Sequence, residues 1–198
     1  MFKVFFQSIV LLLILSGCSS EPERIIVAKN SKILAFGDSL TQGVGANKAQ
    51  SYPSQLSNIL GINVINEGVS GEVSEKGLQR LERYLATNTV DLVILCHGGN
   101  DLLRKLPKAK LKANLAKMIN LIQSSGAQVL LVGVPKPAIL LSTFPVYEEL
   151  AEEYNLVSDL ESLTDLLGSP AMKSDGVHLN AQGYRAFAEA LAKRINVI

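Results

Sequence analysis

A short apolar run near the start of the chain ends abruptly in Gly-Asp-Ser. Residues 33–36 are apolar throughout and are followed by Gly37, Asp38 and Ser39. The run is too short for a helix and has no polar face, which is typical of a parallel strand buried on both sides. Gly37 permits a tight turn at the carboxyl end of such a strand, where α/β folds bind their ligands. Ser39 is therefore a candidate nucleophile, and a plain Ser/Asp turn is the alternative.

Four further apolar runs follow, and helical patterns separate them. The predicted strands cover residues 62–65, 92–96, 128–134 and 156–160. The helix signals are Ser51 with Pro53 at a start, Gly61 and Gly126 at two ends, and Asn180 before a last helix to about residue 195. This alternation predicts an α/β protein with right-handed crossovers, namely a three-layer α/β/α sandwich that is flavodoxin-like in outline, with about five parallel strands.

Size and composition exclude several classes of function. With 198 residues, 47% of them hydrophobic, the chain is long enough for one domain with a sizeable core. Its formal net charge of +1 leaves no basic surplus for nucleic acid and no polybasic patch for anionic lipid. Aromatic residues make up only 6% of the chain, so few side chains can stack on bases. We expect a monomer with no nucleic-acid partner.

The N-terminal segment has the character of an export signal. Lys3 precedes a mostly apolar stretch over residues 4–15, which suits a signal peptide and is too short to span a bilayer. Residues 15–18, Leu-Ser-Gly-Cys, resemble a bacterial lipobox, in which the Cys18 thiol receives a diacylglycerol. An ordinary secretory cleavage site is the alternative. We predict a lipoprotein signal peptide at 1–17, a lipid-anchored tether at 18–30 and a folded domain at 31–198, placed in the bacterial cell envelope and facing the periplasm or the exterior.

The cysteine count agrees with a lipid anchor. Cys18 and Cys96 are the two cysteines of the chain, so a lipidated Cys18 leaves Cys96 without a partner for an intramolecular disulfide. Because Cys96 ends the apolar run at 92–96, we expect it to be a small buried hydrophobe. A nucleophilic role for Cys96 is the weaker alternative.

Two residues near the C-terminus fit the needs of a serine nucleophile. A neutral hydroxyl is a poor nucleophile and requires a general base. His178 follows Asp175 by three residues, with Gly176 tightening the turn between them. This spacing allows the carboxylate to bind one imidazole nitrogen and leaves the other for Ser39. The alternative is an Asp-Gly turn and a loop histidine ahead of a helix cap.

The loop after residues 92–96 carries an amide and two glycines. The Asn100 side chain can donate a hydrogen bond to a developing oxyanion, and the preceding Gly-Gly allows a substrate to approach closely. Gly71 offers a backbone N–H in a neighbouring loop, and the N–H of Ser39 is a third donor. The alternative for Asn100 is a turn beside a helix, and His97 is expected to be a packing residue.

Four short blocks occur in an order that resembles the SGNH (GDSL-type) hydrolases. They are Gly37-Asp38-Ser39-Leu40, Gly71, Gly98-Gly99-Asn100-Asp101 and Asp175-Gly176-Val177-His178. The resemblance covers residues 32–195 and is greatest to the bacterial thioesterase I / lysophospholipase L1 / arylesterase branch. The chain departs from that branch at Leu179, where the branch usually has a proline that stiffens the turn.

The resemblance implies a serine hydrolase that needs no metal and no organic cofactor. Ser39 is implied as the nucleophile, His178 as the base and Asp175 as the residue that orients the base. The implied oxyanion hole consists of the Ser39 N–H, the Gly71 N–H and the Asn100 side chain. The implied reaction is acyl transfer to water.

Apolar residues near these loops predict an acyl groove. Leu102, Leu103 and Leu106 follow the third predicted strand, and the loop at 139–144 contributes Ile139 and Phe144. We select Leu102, Ile139 and Phe144 as substrate-binding candidates; packing over the core is the alternative. A small open groove predicts esters and thioesters of short to medium acyl chains, with lysophospholipids as further candidates.

Two other functions compete with this prediction. An O-acetyl esterase acting on envelope polysaccharide would need aromatic sugar contacts, for which Tyr52 is one candidate. A non-catalytic lipoprotein that binds acyl chains is the second rival, and the presence of every proposed reactive residue argues against it.

Overall fold

The structure is a computed structural model that describes residues 24–136 and 141–198. Its strands are β1 (Ile25–Val27), β2 (Ile33–Gly37), β3 (Val64–Gly68), β4 (Leu92–Cys96), β5 (Gln128–Val132), β6 (Pro135–Lys136), β7 (Ser142–Thr143), β8 (Val157–Asp159) and β9 (Ile195–Val197). Its α-helices are α1 (Ser39–Gln42), α2 (Tyr52–Leu60), α3 (Ser74–Leu85), α4 (Gly99–Leu103), α5 (Lys108–Ser124), α6 (Val146–Glu153), α7 (Ser162–Gly168) and α8 (Ala181–Ala192). Short 3₁₀ turns lie at Lys48–Gln50 and Pro170–Met172.

The central sheet has five parallel strands in the order β3-β2-β4-β5-β8. Counted within the sheet, this is the order 2-1-3-4-5 of a flavodoxin-like fold. Because the chain first crosses to one side of β2 and then to the other, right-handed crossovers place the connecting helices on both faces. Helix α2 packs against α8, and α3 packs against α5. The predicted three-layer sandwich is confirmed.

Burial follows the predicted pattern in the middle of the sheet. Every residue of β2 and β4 is buried, as their uninterrupted apolar sequences require. Cys96 at the end of β4 is fully buried and unpaired, which confirms its prediction as a small buried hydrophobe. Burial raises the pKa of its thiol well above the ordinary value and shields the sulfur from solvent, and both effects disfavour a nucleophilic role.

Helix ends form for the expected local reasons, with one difference. Gly61 closes α2 in the left-handed conformation, with φ of +67°. Asn180 caps α8 by accepting a hydrogen bond from the N–H of Gly183. Ser51 occupies the cap position of α2, but its hydroxyl donates to the Lys48 carbonyl rather than capping the helix.

The second strand of the sheet lies later in the chain than predicted. The apolar run suggested residues 62–65, whereas β3 is Val64–Gly68 and includes Asn66 and Glu67. β3 is an edge strand whose residues after Val64 are only partly buried, so polar side chains are accommodated there. The observed register pairs Gly37 with Gly68 and with Cys96, so β2, β3 and β4 end at the same level.

Both ends of the described chain meet in a second, two-stranded sheet. Strand β1 pairs in parallel with β9, and Ile25 and Val27 are buried in the core. The prediction of a tether at 18–30 is therefore wrong for residues 25–27, which form a strand of the folded domain. At the other end, the last helix stops at Ala192 rather than near residue 195, because β9 follows it. A three-residue strand is too short to give a recognisable pattern.

The proposed signal peptide at 1–17 and Cys18 lie outside the described residues. No helix in the described part combines the length and apolar character needed to cross a bilayer.

Candidate active site

Three loops begin side by side where β2, β3 and β4 end. They carry Ser39, Gly71 and Asn100, each a few residues beyond the aligned ends of the strands. The carboxyl edge of a parallel sheet at the point where the strand order reverses is the usual ligand site of such folds. The register of the sheet thus brings together three groups that are far apart in the sequence.

Ser39 is the first residue of α1, in a turn that is tightly enclosed. Asp38 caps this short helix, since its Oδ1 accepts from the N–H of Leu40 at 3.2 Å. A Cβ atom on Gly37 would collide with the Cys96 carbonyl, and one on Gly68 would collide with the backbone of Gln42. Glycine is required at both positions because the neighbouring backbones approach so closely.

His178 links the hydroxyl of Ser39 to the carboxylate of Asp175. Its Nε2 lies 3.0 Å from Ser39 Oγ, and its Nδ1 lies 2.7 Å from Asp175 Oδ2. The other carboxylate oxygen, Asp175 Oδ1, accepts from the N–H groups of Val177 and His178, both at 2.8 Å. The hydrogen bond with the His178 ring, followed by that from the Val177 N–H, lowers the pKa of Asp175. The ionised carboxylate therefore closes the turn and orients the ring at once.

The turn that carries His178 is held by contacts around Leu179, the position at which the related branch usually has a proline. Leu179 is fully buried and forms an antiparallel bridge with Lys173. Around this bridge the Ser174 N–H donates to the His178 carbonyl at 3.0 Å, and the Asn180 N–H donates to the Met172 carbonyl at 2.9 Å. Backbone pairing and a buried side chain thus restrain the turn.

The three proposed oxyanion donors have few competing acceptors. Asn100 Nδ2 donates to the Glu72 carbonyl at 3.1 Å and has only a long contact of 3.4 Å with Asp38 Oδ2. The N–H groups of Ser39 and Gly71 make no hydrogen bond to a protein acceptor within the described ranges. Ser39 and Asn100 line one cavity, whereas Gly71 lies in the adjoining loop, its carbonyl held by Arg104 Nη2 at 2.7 Å.

The cavity beside Ser39 is small and mostly apolar. Its volume is about 180 Å³, below the ~300–1,000 Å³ of typical pockets for drug-sized ligands. Its apolar walls are formed by Leu40, Leu103, Val134, Pro135, Leu141, Leu167 and Val177. Of these, Leu103 belonged to the predicted acyl groove and Leu141 to the predicted loop. Leu40 and Val177 belong to the motifs that carry Ser39 and His178, and no sequence signal assigned the remaining three residues to the site.

The predicted substrate residues Leu102 and Phe144 lie outside this cavity. They line a neighbouring groove of about 420 Å³, and Phe144 is only 5% exposed. Successive residues of a helix point about 100° apart, so Leu103 rather than Leu102 faces Ser39. The third candidate, Ile139, lies outside the described residues. Tyr52, the aromatic residue considered for sugar binding, is fully buried, with its hydroxyl 3.2 Å from Thr41 Oγ1.

The neighbouring groove joins apolar walls to a basic rim. Leu103 lines both the groove and the Ser39 cavity, so the two are adjacent. All charged residues that line the groove are lysines, namely Lys105, Lys108 and Lys136. In the described part of the chain, no carboxylate lies within ion-pair distance of these three lysines. The groove therefore combines apolar walls with positive charge.

Two buried acids near the site, Asp38 and Asp101, have different hydrogen-bond partners, which the sequence alone does not distinguish. Asp38 is 3% exposed; burial raises its pKa, and its Oδ2 approaches Asn100. Asp101 has a structural role, because it accepts from the N–H and the hydroxyl of Ser74 at 2.7 and 2.6 Å and so satisfies one of the free donors in the first turn of α3. Asp38 was a visible part of the Gly-Asp-Ser motif, but its contact with Asn100 depends on the tertiary structure.

Glu72 lies in a buried charged cluster behind the oxyanion loops. Its carboxylate Oε2 is 2.7 Å from Arg80 Nη2 and 3.1 Å from His97 Nε2, and its side chain is 8% exposed. Burial acts to raise the pKa of Glu72, but the hydrogen bonds with His97 and Arg80 outweigh it and lower the pKa from 4.5 to about 2. His97 itself is fully buried and stacks on Phe36, which confirms its prediction as a packing residue.

The Glu72→Gln variant is expected to lose stability at neutral pH and to approach the wild type as the pH falls. The folded-state pKa lies below the unfolded value, so the ionised group contributes above pH 4.5 and its contribution disappears towards pH 2. At neutral pH, the free energy of unfolding of Glu72→Gln should lie below that of the wild type by up to about 3 kcal/mol. Urea unfolding at several pH values measures it. Glu75→Gln, in an exposed pair with Lys110, is the control; equal pH profiles of both variants would contradict the assignment.

Comparisons with known proteins agree on one class of molecule. The sequence profile of the GDSL-like Lipase/Acylhydrolase family matches residues 35–186. An arylesterase from Vibrio mimicus is 32% identical over 95% of this chain and 96% of its own length. The thioesterase 1/protease 1/lysophospholipase L1 of Escherichia coli is 26% identical over 82% of each chain. Among solved structures, AlinE4, an SGNH-hydrolase family esterase, superposes with a TM-score of 0.67 at 35% identity, over 84% of this chain and 95% of that one.

Proposed function

The chain belongs to the GDSL-like lipase/acylhydrolase family, and we propose that it works through an acyl-enzyme formed on Ser39. It is a hydrolase of carboxylic esters and thioesters. We propose that its substrates carry short to medium acyl chains, because the cavity beside Ser39 is small and mostly apolar. The observation that carries the mechanism is the continuous chain of contacts from Ser39 Oγ through the His178 ring to Asp175.

In the first half of the reaction, Ser39 Oγ attacks the carbonyl carbon of the ester. As the O–C bond forms, the hydroxyl proton passes to His178 Nε2, 3.0 Å away in the free enzyme. The carboxylate of Asp175 keeps the other proton on Nδ1 and stabilises the imidazolium. The tetrahedral intermediate then collapses, and the departing alcohol or thiol takes the proton from His178.

In the second half, water releases the acid. His178 accepts a proton from the water as its oxygen attacks the acyl carbon, and Ser39 leaves with that proton. In both halves the negative oxygen receives hydrogen bonds from the N–H groups of Ser39 and Gly71 and from Asn100 Nδ2. The long 3.4 Å contact of Asn100 with Asp38 is the one that the oxyanion replaces. Loss of one such donor costs about 2.7–4 kcal/mol in the transition state.

The two adjoining spaces support a preference for amphiphilic substrates. The small cavity at Ser39 accommodates the acyl chain, and the alcohol side of the ester, with its headgroup, lies past Leu103 in the groove with the lysine rim. We propose lysophospholipids with an anionic headgroup among the substrates, because the three lysines of the rim offer it favourable charge.

An acyl-length series tests the substrate proposal. The kcat/KM for p-nitrophenyl esters is expected to rise about tenfold from acetate to butanoate, since each buried CH₂ contributes ~0.8 kcal/mol. Hydrolysis of lysophosphatidylglycerol is expected to weaken with added salt, whereas that of neutral esters is not. Rates that are equal at all acyl lengths, or confined to acetate, would contradict an apolar acyl site.

We also propose that the enzyme is anchored in the bacterial cell envelope by lipid on Cys18, facing the periplasm or the exterior. The support is the leader pattern of residues 4–18, since two acyl chains give stable membrane attachment. Cell fractionation tests it: the Cys18→Ala variant should leave the membrane fraction, and unchanged membrane retention would refute the anchor.

A further inference from the structure

Arg80 touches the ends of the loops that carry the proposed oxyanion donors, yet it does not line the Ser39 cavity. It projects from α3, its side chain is 18% exposed, and its guanidinium carbon lies 4.0 Å from the centroid of the Phe36 ring. A planar guanidinium held against an aromatic face has a restricted orientation, so its donors point in set directions.

Two of these donors hold the ends of neighbouring strands. Arg80 Nη2 donates to the Gly37 carbonyl at 3.2 Å, and Nη1 donates to the Glu67 carbonyl at 3.1 Å. Gly37 is the last residue of β2 and stands two positions before the proposed nucleophile. One side chain therefore bridges the strand that leads to Ser39 and the strand that leads to Gly71.

The remaining donors reach the oxyanion loops through Glu72. Arg80 Nε and Nη2 donate to the Glu72 carboxylate at 3.0 and 2.7 Å. Glu72 directly follows Gly71, and its carbonyl accepts the hydrogen bond from Asn100 Nδ2 at 3.1 Å. Its carboxylate also contacts His97 Nε2 at 3.1 Å, at the start of the Asn100 loop. Glu72 is thus the link between the Gly71 and Asn100 loops, and Arg80 restrains Glu72.

We propose that Arg80 is a positioning residue for ester hydrolysis, holding the loops of Ser39, Gly71 and Asn100 at the mutual spacing that an oxyanion requires. The inference rests on the proposed function and adds a residue that the family motifs do not include. Displacements of about 1 Å in such a constellation reduce the rate about 10²-fold. Because Arg80 lies outside the cavity, ground-state binding of the substrate does not depend on it.

The test uses Arg80→Lys, which keeps the charge but loses the planar fork, and Arg80→Gln, which loses both. Each is expected to lower kcat for p-nitrophenyl butanoate about 10- to 100-fold, with KM changed less than about threefold. A trifluoromethyl ketone forms a hemiketal oxyanion with Ser39, so its inhibition constant should rise by the same factor as kcat falls. A purely structural role would not produce this match.

Arg83→Gln is the matched control, since Arg83 is exposed on the same helix. It should behave as the wild type, and near-UV circular dichroism shows which variants keep the native fold. Unchanged kcat in either folded Arg80 variant, or KM rising as much as kcat falls, overturns the inference. The proposed function fails separately, if the wild type neither hydrolyses esters nor reacts with a fluorophosphonate.

Discussion

The Ser39→Ala variant is expected to lose at least about 10⁴-fold in kcat for ester hydrolysis while remaining folded. Ser39 Oγ is the hydroxyl within hydrogen-bond distance of His178 Nε2, and Cys96, the other nucleophile considered, is fully buried. The substitution removes this one hydrogen bond, so the free energy of unfolding should change by no more than about 1 kcal/mol. Steady-state kinetics and thermal unfolding measure the two effects.

A fluorophosphonate probe gives an independent measure of the same assignment. The wild type should be labelled on Ser39, and Ser39→Ala should not be labelled. Ser124→Ala, an exposed serine at the end of α5, should keep both activity and labelling. Hydrolysis by a purified Ser39→Ala sample at the wild-type rate would place the nucleophile elsewhere and end the proposed mechanism.

The second large effect is expected for His178→Ala, with a fall in kcat of about 10⁴- to 10⁶-fold. The variant leaves Ser39 without a base and leaves the Asp175 carboxylate without its imidazole partner. Because the His178 side chain is 17% exposed, the vacated space is open to small solutes. Added imidazole is therefore expected to restore part of the activity.

The rescue distinguishes loss of the base from distortion of the turn. N-methylated and unsubstituted imidazoles should restore activity to different degrees, since only the latter can also donate to Asp175. Asp175→Asn should retain the turn but present an N–H towards His178 Nδ1, which favours the wrong tautomer. Wild-type kcat in His178→Ala would show that another group accepts the proton.

Several features were predictable because they depend on local patterns. The buried strands at 33–37 and 92–96 follow from uninterrupted apolar runs, and Gly61 and Asn180 mark helix ends through backbone and capping chemistry. The strand at Ile25–Val27 was missed because its partner, β9, lies at the other end of the chain. Three residues carry too little periodicity to reveal such a pairing.

The sequence by itself determined the class of fold and the candidate catalytic groups, because Ser39 and the Asp175–His178 pair stand in short motifs whose chemistry is local. Only the tertiary structure decided which groups meet. The register of Gly37 with Gly68 and Cys96 aligns the loops, and it also brings Arg80 within reach of the Gly37 carbonyl. Contacts of this kind depend on which distant strands pair and in what register. The sequences of β2 and β4 do not specify this, because strands that are buried on both faces show no alternation of apolar and polar residues.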